Sequence, residues 1–279
     1  MDYQWYPGHM TKARRMMQEN IALIDLLIEL TDARAPQSGR NPDIDTLAKG
    51  KSRIIVLNKA DLADPERTKQ WRAFFEEKGM LTTDIDSRKG SGVRQLKPLI
   101  DKACEEKLER NRRRGIVNRP VRAMIAGIPN VGKSTFINSF AGRAAAKTGD
   151  KPGVTKGKQW IRLNKNVELL DTPGILWPKF EDREIGMKLA LVGSMRDEIT
   201  DAGELAGWLI RYLLQEYPDA LENRYQVTDT DDVVTVLNGI ALRRGCLKAG
   251  GEADLEKASR MLIEDYRSGR LGNITLEKV

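Results

Sequence analysis

The chain has 279 residues, 40% of them hydrophobic and 31% charged, with a formal net charge of +7. That length suits one large domain with a small one, the composition is that of an ordinary globular protein, and no apolar run approaches the roughly 20 residues needed to cross a bilayer. Met1–Met10 has no apolar segment to direct export, and the two cysteines, Cys104 and Cys246, lack a cysteine or histidine at metal-ligand spacing, so neither a disulfide framework nor a zinc site is expected, and a reducing cytoplasm is.

The first apolar run, Ile24–Leu30, reads as a strand that stops at the polar loop Thr31–Pro36. Asn41-Pro42-Asp43 starts a helix whose apolar side is Ile44, Leu47 and Ala48. Ile54–Leu57 is a second strand, ending at Asn58-Lys59-Ala60-Asp61, and Asp64-Pro65-Glu66 opens a helix through Phe75 with proline at its first position. A third strand, Leu81–Ile85, leads into Asp86-Ser87, and a long helix is expected from Gly92 to Arg110. Lys107, Arg110, Arg112, Arg113, Arg114, Arg119 and Arg122 crowd the next stretch, which is either a solvated linker or a patch for a polyanion.

Past that stretch the alternation resumes. Val121–Ala126 is a short strand, Gly127 begins a glycine-bearing turn, and Lys133–Phe140 is a helix. The polar, basic stretch 144–158 is followed by strands Gln159–Leu163 and Val167–Leu170, the second stopping at Asp171-Thr172-Pro173-Gly174. From about Glu181 helical periodicity takes over, in Glu204–Glu216, Asp231–Arg243 and Ala253–Arg267. Strands alternating with helices imply an α/β unit with a mostly parallel sheet; the final third implies a small all-α C-terminal domain.

Gly127-Ile128-Pro129-Asn130-Val131-Gly132-Lys133-Ser134 matches the P-loop pattern, with a strand before it and a helix after it. Glycines let the backbone N–H groups of Val131, Gly132, Lys133, Ser134 and Thr135 approach phosphate oxygens at a helix N-terminus. Lys133 places a point charge on the outer phosphates, and Ser134 offers a hydroxyl to Mg2+. Asp171, at the end of an apolar strand, reaches the same ion, and the Gly174 amide senses the terminal phosphate. Asp150-Lys151-Pro152-Gly153 matches the same short pattern but has no strand before it. Thr155 is preferred to Thr148 as the second Mg2+ ligand, because Pro152-Gly153 forms a turn just before it.

Asn58–Asp61 sits where a strand meets a loop, as a base reader must. Asp61 can accept both N1–H and the exocyclic N2–H of guanine, whereas adenine offers neither; buried hydrogen bonds of this kind reject the wrong ligand by about 10⁴ to 10⁵. Lys59 and Ala60 lie along the base, Asn58 braces the loop against the P-loop, and the Asp86-Ser87 loop closes the base contact, although Arg88 and Lys89 depart from the small residue usual there. The reading is a P-loop GTPase fold in circularly permuted order, because the base-reading half precedes the phosphate half. A domain comprising 1–180 divides into a base-reading half (about 1–110), a basic linker (about 111–120) and a phosphate half (about 121–180), followed by a helical domain, 181–279.

Trp5-Tyr6-Pro7-Gly8-His9-Met10, Asp32-Ala33-Arg34, Asn58–Asp61, Gly127–Thr135, Pro152–Thr155 and Asp171–Pro178 together, in that order, make the chain resemble the circularly permuted GTPases of the YlqF/YawG class. The resemblance spans most of the chain. It implies binding and hydrolysis of GTP to GDP, and a cytoplasmic role late in assembly of the large (50S) ribosomal subunit. It also implies a C-terminal domain on ribosomal RNA; no membrane partner is expected, and the free protein is expected to be monomeric. Ras-like enzymes orient the attacking water with Gln after Asp-x-x-Gly; here that position is Ile175, which cannot hold a water. His9 is the one histidine, and by itself it reads as a surface residue or as a polar group near the nucleotide; the characteristic Pro-Gly-His-Met segment implies the catalytic role. Similar GTPases use asparagine at the place of Asn130 to help bind K+, against the plain alternative of a P-loop spacer. A signalling or trafficking switch is the rival reading, opposed by the permuted order and the lack of a lipidation motif. Metabolic phosphoryl transfer is opposed by Asn58–Asp61.

Overall fold

A computed structural model of the protein describes residues 15, 17–116, 119–142, 159–162, 166–171, 182–195, 197 and 200–279. The strands are β1 (Leu26–Asp32), β2 (Ser52–Asn58), β3 (Leu81–Ile85), β4 (Val121–Gly127), β5 (Gln159–Arg162) and β6 (Val167–Asp171). They form one sheet in the order β3-β2-β1-β4-β6-β5, parallel except for β5 against β6. The two halves of the chain meet at β1 and β4 in the middle of the sheet, so a permuted sequence still closes one continuous ladder.

Every residue of β1 is buried, as a central parallel strand covered on both faces requires. Of its two charged residues, both 1% exposed, Asp32 ends the strand and Glu29 in mid-strand is held by Arg40 and Arg53, both of which also reach Asp45. An unpaired carboxylate there would cost several kcal/mol; this pairing lets the strand keep it.

Helices α1 (Asp43–Leu47) and α2 (Pro65–Glu77) lie where the sequence predicts them. The Asp64 side chain caps α2, accepting from the backbone N–H of Glu66 (2.9 Å) and Arg67 (3.2 Å), with Pro65 at the first position. The long helix expected over Gly92–Arg110 is instead a single 3-10 turn (Val93–Gln95), α3 (Leu96–Ala103) and α4 (Glu105–Arg113), separated at Cys104. Leu96 and Ile100 bury α3 against the sheet and Cys104 is 2% exposed; no residue of α4 is fully buried, although Leu108 packs half-buried against the same core. Lys107 pairs with Asp25 and tethers α4 to the start of β1. The basic run therefore begins inside α4, whose last turn carries Arg110, Arg112 and Arg113, a placement the helix dipole favours.

After α5 (Lys133–Ala141) come α6 (Arg183–Leu191), α7 (Ala202–Glu216), α8 (Asp219–Tyr225), α9 (Val233–Arg244) and α10 (Leu255–Arg267). Asp182, Asp201, Asp232 and Asp254 cap four of them through backbone N–H groups, each worth about 1 kcal/mol. Two helices, α6 and α8, had no clear periodic signal in the sequence, being short and, in α6, interrupted by Gly186. Among the described residues the largest apolar cluster runs from Ile28, Ile125 and Phe136 in the α/β unit to Leu191, Leu209 and Leu262 in the helices, with two smaller clusters around Ile24 and Trp71. The segment after α10 turns back over the loops that follow β1 and β2, a return the sequence did not announce.

Candidate functional site

Parallel strands put their C-terminal ends on one edge, and the predicted motifs end there together. Asp32 pairs with Asn58, Asn58 with Ile85, Leu30 with Gly127, and Ile125 with Asp171. The base-reading and phosphate motifs, far apart in sequence, thus share one edge, the place where open α/β sheets take ligands.

Asn58 joins them. It is 1% exposed. Its amide nitrogen donates to the Val131 carbonyl in the P-loop (2.7 Å), and its amide oxygen accepts from the Ser87 backbone N–H (3.2 Å) and hydroxyl (2.7 Å). One side chain therefore fixes the P-loop and the β3 loop to the end of β2. Gly132, at φ +97°, lies against it, and a Cβ there would come within 2.6 Å of the Asn58 nitrogen. The left-handed conformation and that close approach each require glycine.

Lys59 adopts the left-handed conformation (φ +60°), which a side chain rarely takes without compensation. Its ammonium pairs with Asp32 Oδ2 at 2.9 Å. Asp32 also accepts from Arg34 Nε and Nη2, both at 2.9 Å, and from the Arg34 backbone N–H at 3.1 Å. Arg34 is 1% exposed, donates to the Arg267 carbonyl at 3.1 Å and lies over the Tyr266 ring. Burial alone would raise the Asp32 carboxyl, but Arg34 and Lys59 outweigh it and hold it well below the ordinary 3.8. Burial pushes the Lys59 ammonium down; the attraction of Asp32 offsets this only in part, and Arg34 adds repulsion. The Asp32–Arg34 pair was visible in the sequence as part of a motif, but its role as the anchor of Lys59 was not.

Ala60–Leu62 is a 3-10 turn with Asp61 exposed on it. Beyond β3, Asp86 is 5% exposed; its Oδ1 accepts from the backbone N–H of Arg88 (2.8 Å) and Lys89 (3.1 Å), which shapes the loop holding Ser87. Asp86 Oδ2 is buried and accepts nothing from the described residues.

In the P-loop, Lys133 donates to the carbonyls of Gly127 (3.0 Å) and Ile128 (2.8 Å), so its charge lies inside the loop's curve. Asn130, at φ +58°, donates its amide to the Gly193 carbonyl at the end of α6 (2.7 Å). A cation ligand there would be the amide oxygen, the only electron-pair donor of the side chain, while the nitrogen links the P-loop to the helical unit, a link absent from the sequence reading. Ser134 and Thr135 follow on the first turn of α5. Ser134 and the position of Asp171 at the end of β6 bring a hydroxyl and a carboxylate residue, hard oxygen donors that suit Mg2+, to the same edge. His9, Thr155, Gly174 and Ile175 lie outside the described residues.

A family model described as 50S ribosome-binding GTPase matches residues 122–239. The chain is 46% identical over 278 residues to ribosome biogenesis GTPase A of Bacillus cereus, covering 99% of this chain and 94% of that protein. It is 33% identical over 274 residues to the protein of that name in Thermotoga maritima, covering 98% and 94%. Among solved structures, GNP-bound YlqF from T. maritima is similar at a TM-score of 0.67 and 28% identity, over 96% of this chain and 98% of that one.

The Asp32 cluster makes a pH prediction. A carboxyl lowered on folding contributes stability that is complete above its unfolded value, near pH 4, and is lost as pH falls through that value toward the folded one. Asp32→Asn removes this contribution and leaves Arg34 buried without its partner, at a cost of about 3 kcal/mol near neutral pH. The melting temperature of the natural protein should therefore fall more steeply below pH 4 than that of Asp32→Asn, the two converging in acid. Parallel profiles from pH 6 to pH 2.5 would remove the cluster from the acid response.

Proposed function

The chain belongs to the ribosome biogenesis GTPase A family and hydrolyses GTP, and from that premise we propose that it acts in late assembly of the large (50S) ribosomal subunit. The observation that carries this is similarity over essentially the full length, helical unit included, to proteins named for ribosome biogenesis. Exposed Arg110, Arg112, Arg113 and Arg114 at the end of α4, with a net charge of +7, support an RNA partner. Among the described residues no helix is long and apolar enough to cross a membrane. We place the protein in the cytoplasm, monomeric when free, with a G domain of about 1–180 and an RNA-binding helical domain of about 181–279.

In this reading Asp61 takes guanine N1–H and N2–H, Lys59 and Ala60 lie along the base, and Asp86 and Ser87 close its far side. The hydrogen bonds of Asn58 support that arrangement, since they hold the base loop and the P-loop in one piece. The backbone of Asn130–Thr135 cradles the phosphates, Lys133 stabilises charge on the transferred group, and the Gly174 amide faces the terminal phosphate. Mg2+ would be held by Ser134, Asp171 and Thr155; when bound it neutralises phosphate charge. The amide oxygen of Asn130 is the atom left for K+. We assign orientation of the attacking water to His9, ordered over the nucleotide by the ribosomal partner, which gives a slow free enzyme and a fast bound one.

Asp61→Asn should weaken GTP binding and shift preference toward xanthosine triphosphate, because an amide donates to the xanthine C2 carbonyl. Loss of a paired, charge-assisted contact of this kind costs about 2 to 3 kcal/mol, roughly thirty- to 150-fold in affinity. A titration in which GTP affinity is unchanged removes Asp61 from the site.

The ribosomal role is tested by sedimenting the protein with purified large subunits and a non-hydrolysable GTP analogue while following turnover. Co-sedimentation that weakens as salt rises is expected, with turnover stimulated by subunits in the natural protein and not in His9→Ala. A protein that stays at the top of the gradient contradicts the ribosomal role. Stimulation that survives His9→Ala removes His9 from the chemistry.

A further inference from the structure

Asp61 rests on a very short element. The Ala60–Leu62 turn is one turn long, follows a left-handed Lys59 and has no side-chain cap, so its own hydrogen bonding leaves it marginal. Its outward carbonyls are taken up by residues more than 200 positions away. Asn273 Nδ2 donates to the carbonyls of both Asp61 (3.2 Å) and Ala63 (2.9 Å), and the Ile274 backbone N–H donates to Leu62 between them (3.3 Å). Three successive carbonyls of the base-reading loop are thus satisfied by two residues near the C-terminus.

The same segment continues along the loop after β1. Thr275 Oγ1 accepts from the Asp64 N–H (3.1 Å) and donates to the Ala33 carbonyl (3.4 Å); the Leu276 N–H donates to the Arg34 carbonyl (2.7 Å). The Glu277 carboxylate accepts from the backbone N–H of Gln37 (2.6 Å) and Ser38 (3.0 Å), and the Glu277 carbonyl accepts from Trp71 (3.3 Å). Ile274, Thr275, Leu276 and Glu277 are all buried by this return, whereas Asn273 is exposed. Asn273 therefore serves the loop through two hydrogen bonds and contributes nothing to the core.

We propose that the C-terminal segment 273–277 is a clamp on the guanine-reading loop, and that Asn273 is the positioning residue that sets Asp61 for two hydrogen bonds to the base. The inference rests on the reading of Asp61 as the guanine acceptor. Two parallel bonds from one carboxylate require its plane and depth to be held to within about 0.5 Å, a tolerance that an unclamped single turn does not provide. Freed of Asn273, the turn keeps its chain path through Ile274 and Thr275 but loses the restraint on Asp61 itself. Base discrimination should suffer before folding does.

The test compares GTP with inosine triphosphate, which has the same phosphates and the same N1–H but lacks the N2 amine. Asn273→Ala removes the donors, and Asn273→Asp removes them at equal size. In both variants the preference for GTP over inosine triphosphate should fall about fivefold or more, with a melting temperature close to that of the natural protein. A preference equal to the natural one, whether affinities for both nucleotides hold or fall together, overturns the clamp. Asp61→Asn is titrated alongside with the same pair. If Asp61→Asn leaves the preference intact, the base-reading role fails and the clamp with it; if only the Asn273 variants leave it intact, the clamp alone fails.

Discussion

Three segments that are remote in sequence meet on the amide of Asn58. It has one nitrogen for Val131 and one oxygen for Ser87, and it is buried among them. A buried amide with both ends satisfied is strongly specified, because removing any partner leaves a polar group in a place water does not reach. Asn58 adds to the left-handed turn a second reason for glycine at 132, and the β3 loop is fixed because Ser87 bonds to Asn58 twice. The base and phosphate halves of the site therefore have a fixed separation, which is what recognition of one nucleotide by two motifs requires.

The permuted order leaves this geometry untouched and changes what adjoins it. β1 and β4 pair directly, so the sheet is continuous although the halves are exchanged in the chain. The helices that follow the phosphate half then touch both motifs. Asn130 reaches Gly193 at the end of α6, and Arg34 reaches the carbonyl of Arg267 at the end of α10. Arg267 closes the circuit, its guanidinium donating to the carbonyls of Ala190 (2.8 Å) and Leu191 (3.1 Å). Movement of α10 relative to the sheet would break charged hydrogen bonds on the base-reading side, and movement of α6 would pull on the P-loop. These hydrogen bonds join the helices to the loops that carry both motifs.

What the sequence made legible was local. Strand ends, the capped start of α2 and the P-loop turn each carry their signal within a few residues, and the registers bring them to one edge as expected. The expected brace between Asn58 and the P-loop appears as a 2.7 Å bond. What stayed hidden was long-range or weakly periodic. The apolar spacing Leu96, Ile100, Cys104 and Leu108 runs on through the break, so nothing local in the sequence marked it. Arg34 showed only as one letter of a motif, because its partners Tyr266 and Arg267 come from the far end of the chain. Asn273 gave no signal at all, since an exposed asparagine near a C-terminus looks like any solvated residue.

The most direct measurement is a calorimetric titration of GDP into Asn58→Ala, with circular dichroism to establish that the fold is retained. Three hydrogen bonds that fix the two motifs relative to one another are lost, at roughly 1 kcal/mol each. The expected result is a folded protein whose GDP affinity has fallen about fiftyfold or more. An affinity within about twofold of the natural protein would contradict the claim that Asn58 sets the geometry of the site.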